Sequence, residues 1–101
     1  MTDIVNEYFF PFKSQGKRVI PKMKCEDGFT MSVQASNTHY CTPRIESGPW
    51  TAFEIGYPSQ KEDLIMKYAE TPEEPTNTVY GHVPLNVVIK VIKKHGGLKG
   101  E

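Results

Sequence analysis

Residues Phe29 to Ala35 alternate without a break: Phe29, Met31, Val33 and Ala35 against Thr30, Ser32 and Gln34. A period of two places the first set on one face of a strand and the second set on the other. Just before this run stands Glu26-Asp27-Gly28. The Asp-Gly step tolerates the positive φ of a tight hairpin turn. Residues 22–35 are therefore expected to form a β-hairpin with one apolar face, which another layer of structure must cover.

The rest of the chain supplies short elements between frequent prolines and glycines, eight of each. Trp50 to Tyr57 reads as a strand, with Phe53, Ile55 and Tyr57 facing a core and Ala52 and Glu54 facing away. Ser59 followed by Glu62 forms a capping box, which predicts a helix carrying Leu64, Ile65 and Tyr68 as its apolar stripe. Pro72 and Pro75 end it. Thr76 to Val83 reads as a strand, with Val79, Gly81 and Val83 on one side and Thr78, Tyr80 and His82 on the other. Pro84 can open a second helix with Leu85, Val88, Ile89 and Ile92 as its buried stripe. Lys93, Lys94 and His95 complement its dipole, and Gly96 suits a left-handed cap.

Before the hairpin, the aromatic-dense stretch from Thr2 to Phe12 reads as a short helix or arm leading into an extended segment. Pro11 opposes a helix running through it. Ser14-Gln15-Gly16 reads as a turn, and Ser36 to Pro49 as a long loop, a kind of segment that is often functional. The expected fold class is α+β: a small antiparallel or mixed β-sheet with two short helices packed on one face. The expected organisation is one domain, with residues 1–24 an N-terminal arm and first extended segment, 25–97 the core, and 98–101 a flexible tail. Open sheet edges leave room for a homo-oligomer.

The 101 residues suit one globular core, and 38% hydrophobic content supports it. Twelve cations balance twelve acids. Without a basic surplus, nucleic acid is a disfavoured partner. The charge is segregated, however. Residues 1–24 hold five cations and two acids, 25–74 three cations and nine acids, and 75–101 four cations and one acid. Lys13, Lys17, Arg18, Lys22 and Lys24 follow one another with no acid between them, a strip able to meet an acidic partner or a phosphate. Two cysteines are too few for a disulfide scaffold, and no apolar run approaches the ~20 residues that span a bilayer. The chain is expected to be soluble and cytoplasmic, with no membrane partner. Cys25 and Cys41 can be free or paired.

The sequence carries no strong catalytic signature. It contains neither paired CxxC nor HExxH, and His39 and Cys41 alone fall short of a zinc ligand set, so no metal is expected. It contains neither GxxxxGK[ST] nor GxGxxG, and no cofactor is implied. Glu62 is accounted for as a cap, and Asp63, Glu70, Glu73 and Glu74 as a solvated face. Cys41 with His39 and Arg44 nearby is the one nucleophile to weigh. The reading is of a protein with no catalytic residues.

One polar cluster stands out. Thr30, Ser32 and Gln34 line one strand face, and the loop after them carries Tyr40-Cys41-Thr42-Pro43-Arg44. Hydrogen-bonding groups, a stacking ring and a guanidinium fork are the ingredients of a polar ligand pocket. Tyr57, Tyr80 and His82 join it if the sheet brings them close. The competing reading is an ordinary wet sheet face with a loop pinned by Arg44.

The segments DGFTMSVQAS at 27–36, YCTPR at 40–44, EIGYPS at 54–59, TVYGHVP at 78–84 and HGG at 95–97 together resemble small accessory proteins of tailed bacteriophages. The resemblance implies a host-cell cytoplasmic setting and host-takeover or counter-defence action by stoichiometric binding. The expected function is sequestration of a small anionic, nucleotide-like ligand. The alternatives are direct inhibition of a host defence protein and a small cysteine-dependent enzyme.

Overall fold

A computed structural model describes residues 3–100. Its elements are helix α1 (Ile4–Lys13), strands β1 (Met23–Lys24), β2 (Thr30–Gln34) and β3 (Ala52–Gly56), a 3₁₀ helix (Asp63–Tyr68), strand β4 (Val79–Pro84) and helix α2 (Leu85–Lys94). The strands form one antiparallel sheet in the order β1-β2-β3-β4. The α+β class read from the sequence is the class observed. No described helix is long and apolar enough to cross a membrane.

The alternation in residues 29–35 sets the layers. Phe29, Met31, Val33 and Ala35 are all buried. Register places Met23 opposite Met31 and Val33 opposite Ile55, so one sheet face is continuously apolar. Phe53, Tyr80 and Val83 extend that face, and Val88, Val91 and Ile92 of α2 belong to the same core. The Asp27-Gly28 turn forms as expected, with Gly28 at φ 96°.

Helix α1 is part of this core. Asp3 caps it by accepting the Asn6 N–H at 2.8 Å. Val5 and Phe9, four apart, are fully buried, and the Phe9 ring lies 5.2 Å from Trp50 and 5.5 Å from Phe53. The helix passes through Pro11, contrary to expectation. Pro11 cannot donate the i→i−4 hydrogen bond that a helical residue normally makes, and packing of the apolar face outweighs that loss. Thr2, the first residue of the expected aromatic stretch, lies outside the described residues.

Four further expectations change. Ser59 does not cap a helix: its Oγ accepts the Thr30 N–H at 3.0 Å, tying the end of β3 to β2. Glu62 is the cap, accepting from Leu64 N–H, and the helix it opens is a 3₁₀ turn in which Ile65 is buried and Leu64 exposed. Tyr57 does not face the core; it is 49% exposed at φ 50°, where the chain turns away from β3. The segment at 98–100 is not a free tail. Leu98 is buried, bridges to Cys25, and the Lys99 N–H donates to the Lys24 carbonyl at 2.8 Å. Glu101 lies outside the described residues.

The alternation expected in residues 78–83 also fails, for a definite reason. Ile55 pairs with Tyr80 but Phe53 pairs with Val83, so three steps on β4 match two on β3. This one-residue bulge puts Tyr80 and Val83 on the same buried face and swings His82 out at φ 50°.

Candidate functional site

The bulge and the long loop meet. Tyr40 lies across the bulge, its Cβ 3.4 Å from where a Cβ on Gly81 would stand, an ordinary packing distance. The Tyr40 carbonyl accepts the His82 N–H at 3.0 Å, and the Tyr40 N–H donates to Glu54 Oε1 at 2.9 Å. Thr42 continues the sheet by bridging to Ala52. These bonds hold the Tyr40 and His82 rings and Thr42 on one exposed patch, with Arg44 two residues beyond Thr42.

On that patch the Tyr40 and His82 ring centroids are 6.3 Å apart, tilted by 35°. Arg44 Cζ stands 5.7 Å from the centroid of the Tyr40 ring. Thr42 Oγ1 lies 3.2 Å from His82 Nδ1. Tyr40 is 46% exposed. Arg44 makes no ion pair among the described residues, so its fork of donors is open to an anion. The patch is a platform: an aromatic face, a guanidinium and a hydroxyl, presented to solvent.

The remaining predicted residues are placed elsewhere. Gln34 is buried, and its amide clasps the backbone of Ile20: Oε1 accepts the Ile20 N–H at 3.0 Å and Nε2 donates to the Ile20 carbonyl at 2.9 Å. Nε2 also donates to Ser32 Oγ at 2.9 Å. Ser32 and Gln34 thus hold the 17–21 segment over the outer sheet face and are not open to a ligand. The Thr30 backbone is joined to Ser59. Tyr80 is inside the core, its hydroxyl donating to the Pro75 carbonyl. Among the described residues, neither ring contact nor hydrogen bond joins the Tyr57 side chain to Tyr40, Arg44 or His82. Of the eight predicted residues, the structure brings together Tyr40, Arg44 and His82, and adds Thr42.

Both cysteines are free and buried. The Cys41 thiol donates to the carbonyls of Ser36 and Pro43, and burial raises its pKa. Burial, and then the charge of Asp27, push Cys25 up to about 11. Neither environment favours the thiolate a nucleophile requires. His39 turns to Ser36 instead, with Nδ1 2.6 Å from Ser36 Oγ, and burial lowers its pKa. Ser36 is fully buried and also takes the Thr38 N–H, so the contact knots the loop internally. Among the described residues no group of three or more His, Cys, Asp or Glu is arranged to hold a metal ion.

A second polar cluster went unread in the sequence. His95, 4% exposed, lies between two carboxylates: Nδ1 is 2.6 Å from Asp27 Oδ2 and Nε2 is 2.7 Å from Glu62 Oε1. Lys94 Nζ completes it at 2.8 Å from Glu62 Oε2. Phe29 stacks on the imidazole at 4.0 Å with the planes 9° apart. With an acceptor on each side, both ring nitrogens must donate, which only imidazolium can do. Burial opposes that charge, but the bonds to Glu62 and Asp27 outweigh it and raise the His95 pKa. No lone pair is left for proton abstraction. The cluster locks the hairpin turn, the start of the 3₁₀ helix and the end of α2 together. Asp27 looked like a turn residue, Glu62 a cap and His95 a dipole partner, and each local role hid the shared one.

Compared with family models, with curated proteins and with solved structures, the chain finds no match in any of the three.

Proposed function

We propose that the protein acts by binding, without catalysis, and that it takes a small planar anion of the nucleotide class on the Tyr40–Thr42–Arg44–His82 patch. The observation that carries this reading is the bulge that turns His82 outward. A non-glycine residue at φ 50° is costly, and such cost is commonly found where a side chain must be aimed. Here it sets a second ring beside Tyr40 and an unpaired Arg44. Stacking on the rings and a bidentate grip by the guanidinium suit a base and a phosphate. The counter-defence setting in a phage-infected cell is part of the same proposal and rests on the sequence resemblance alone.

The test is a thermal-shift screen against cyclic and linear nucleotides, followed by calorimetry of any that raise the melting temperature. Arg44→Ala is expected to weaken binding at least tenfold while leaving the unliganded melting temperature unchanged. An absence of shift with every nucleotide, or full binding by Arg44→Ala, removes the reading.

The alternative of a direct protein partner draws on a different feature. A groove of about 650 Å³ runs between α1 and residues 47–50, with Phe9, Pro49 and Trp50 among its walls. Phe10 stands at its rim 72% exposed. Phe10→Ser abolishing capture of a host protein, with Arg44→Ala retaining it, selects this reading over the first.

A further inference from the structure

The basic strip noted in the sequence divides in the folded chain. Lys13 is consumed: its ammonium donates to the Arg18 carbonyl at 2.9 Å, pairs with Glu46 at 3.2 Å and lies over the Trp50 ring. Lys22 and Lys24 take a different course. Lys22 immediately precedes β1 and Lys24 ends it, and both are exposed and line the same hollow. The docked C-terminal segment brings a third cation, because the Lys99 N–H bonds to the Lys24 carbonyl at 2.8 Å.

These three lysines, with Tyr8, Pro21 and Leu98, line a hollow of about 320 Å³. No acidic residue lines it among the described residues. None of the three makes an ion pair with a described residue. Glu26, the nearby acid on the same hairpin, gives its carboxylate to the Gly100 N–H at 3.3 Å. The Tyr8 hydroxyl is turned to the backbone, 3.1 Å from the Lys22 carbonyl, which fixes the ring as a wall.

Three like charges around one concavity repel one another and gain nothing from the fold around them. In a chain whose total charge is zero, this is a local concentration and not a general basicity. A concave, part-apolar wall focuses such a field and raises the local concentration of anions. Lysine supplies point charges without a fork, which fits the diffuse charge of a phosphoryl chain better than a single planar carboxylate. The volume falls at the small end of ligand sites, too small for a duplex and sufficient for a short phosphate chain.

We infer that the Lys22–Lys24–Lys99 hollow is an anion site for a compact phosphoanhydride carrying two or more negative charges, separate from the Tyr40–Arg44 patch. The phosphate chain can be free or can be the end of a nucleotide; the recognition is of the chain.

The test is calorimetry of the whole protein with inorganic pyrophosphate, with ADP and with adenosine, at low and at moderate salt. Pyrophosphate and ADP are expected to bind and adenosine is not, with affinity falling as salt rises. The double variant Lys24→Gln, Lys99→Gln is expected to lose at least tenfold in affinity for pyrophosphate, whereas Arg44→Ala keeps it. The lysines are exposed, so the variant's unchanged melting curve confirms that the fold is intact. Failure of pyrophosphate to bind at millimolar concentration, unchanged binding by the folded double variant, or loss of pyrophosphate binding in Arg44→Ala would overturn the inference. Success or failure of nucleotide binding at the patch is read separately, through Arg44→Ala.

Discussion

His95 Nε2 stands 2.7 Å from Glu62 Oε1 with both side chains removed from solvent, so a buried proton links the end of α2 to the start of the 3₁₀ helix. The pH dependence of folding follows from it. The His95 pKa is raised in the folded chain. Its contribution is therefore whole below the unfolded histidine value of ~6.5 and is lost as pH rises through the folded value. Glu62 and Asp27 are lowered. For Glu62, burial works the other way but Lys94, the Leu64 N–H and His95 prevail; for Asp27 the Phe29 N–H leads and His95 adds to it. Their contributions are present above the unfolded carboxylate values of ~4 and are lost as pH falls through the folded ones. Stability is expected to be greatest between these limits. Urea unfolding across pH should show a decline on the alkaline side in the wild type and a flatter profile in His95→Gln. An equal alkaline decline in both assigns the effect to another group.

Removing the carboxylate is expected to cost more than removing the lysine. Glu62→Ala leaves a buried imidazole with a single partner and also removes the cap on Leu64 N–H. Breaking a buried pair in this way costs about 3 kcal/mol. Lys94 is half in solvent, and Lys94→Met should have only a small effect. Chemical denaturation of the two variants checks the order, and comparable losses would show that Lys94, not His95, is the partner that matters.

The sheet was legible because its signal is local. The run 29–35 carries its own period, and Asp27-Gly28 carries its own turn chemistry, so the hairpin and the buried face of β2 could be read directly. The His82 reversal could not. One extra residue between Tyr80 and Val83 exchanges faces for everything that follows, and nothing in Tyr-Gly-His-Val marks a bulge beyond the glycine. Residues 98–100 were misread because Gly96 and Gly97 look like an ending, although they make the turn that returns Leu98 to Cys25. Of the candidate site, the loop residues Tyr40 and Arg44 are legible from side-chain chemistry and lie on one patch. Ser32 and Gln34 share one face by strand period, but the sequence does not show that Ile20 already occupies that face.

That occupation is itself testable. Gln34 satisfies both backbone groups of Ile20, which are buried. Gln34→Leu keeps the bulk and removes both partners. A buried N–H left without an acceptor costs about 1–3 kcal/mol. Amide exchange at Ile20 is expected to accelerate more than at β2 residues, since the 17–21 segment should open before the sheet does. Uniform acceleration would mean that Gln34 supports the whole core.

Tyr57 and His82 share one backbone conformation, φ 50°, and are expected to separate strain from function. Holding a non-glycine residue there costs of order 1 kcal/mol or more, and glycine relieves it while adding about 0.5–1 kcal/mol of unfolded-chain entropy. Each of Tyr57→Gly and His82→Gly should therefore be close to neutral in stability, or stabilising by up to about 1 kcal/mol. Their effects on binding should differ. His82 stands beside Tyr40 and Thr42, so His82→Gly removes a ring from the patch and should weaken a nucleotide that binds there at least tenfold. Tyr57 makes none of those contacts, and Tyr57→Gly should leave that affinity within twofold. The paired measurement is a melting curve and a titration for each variant. Equal losses of affinity would place the ligand off the patch, and a large loss of stability in His82→Gly would show that the bulge is held by the imidazole and not by the backbone around it.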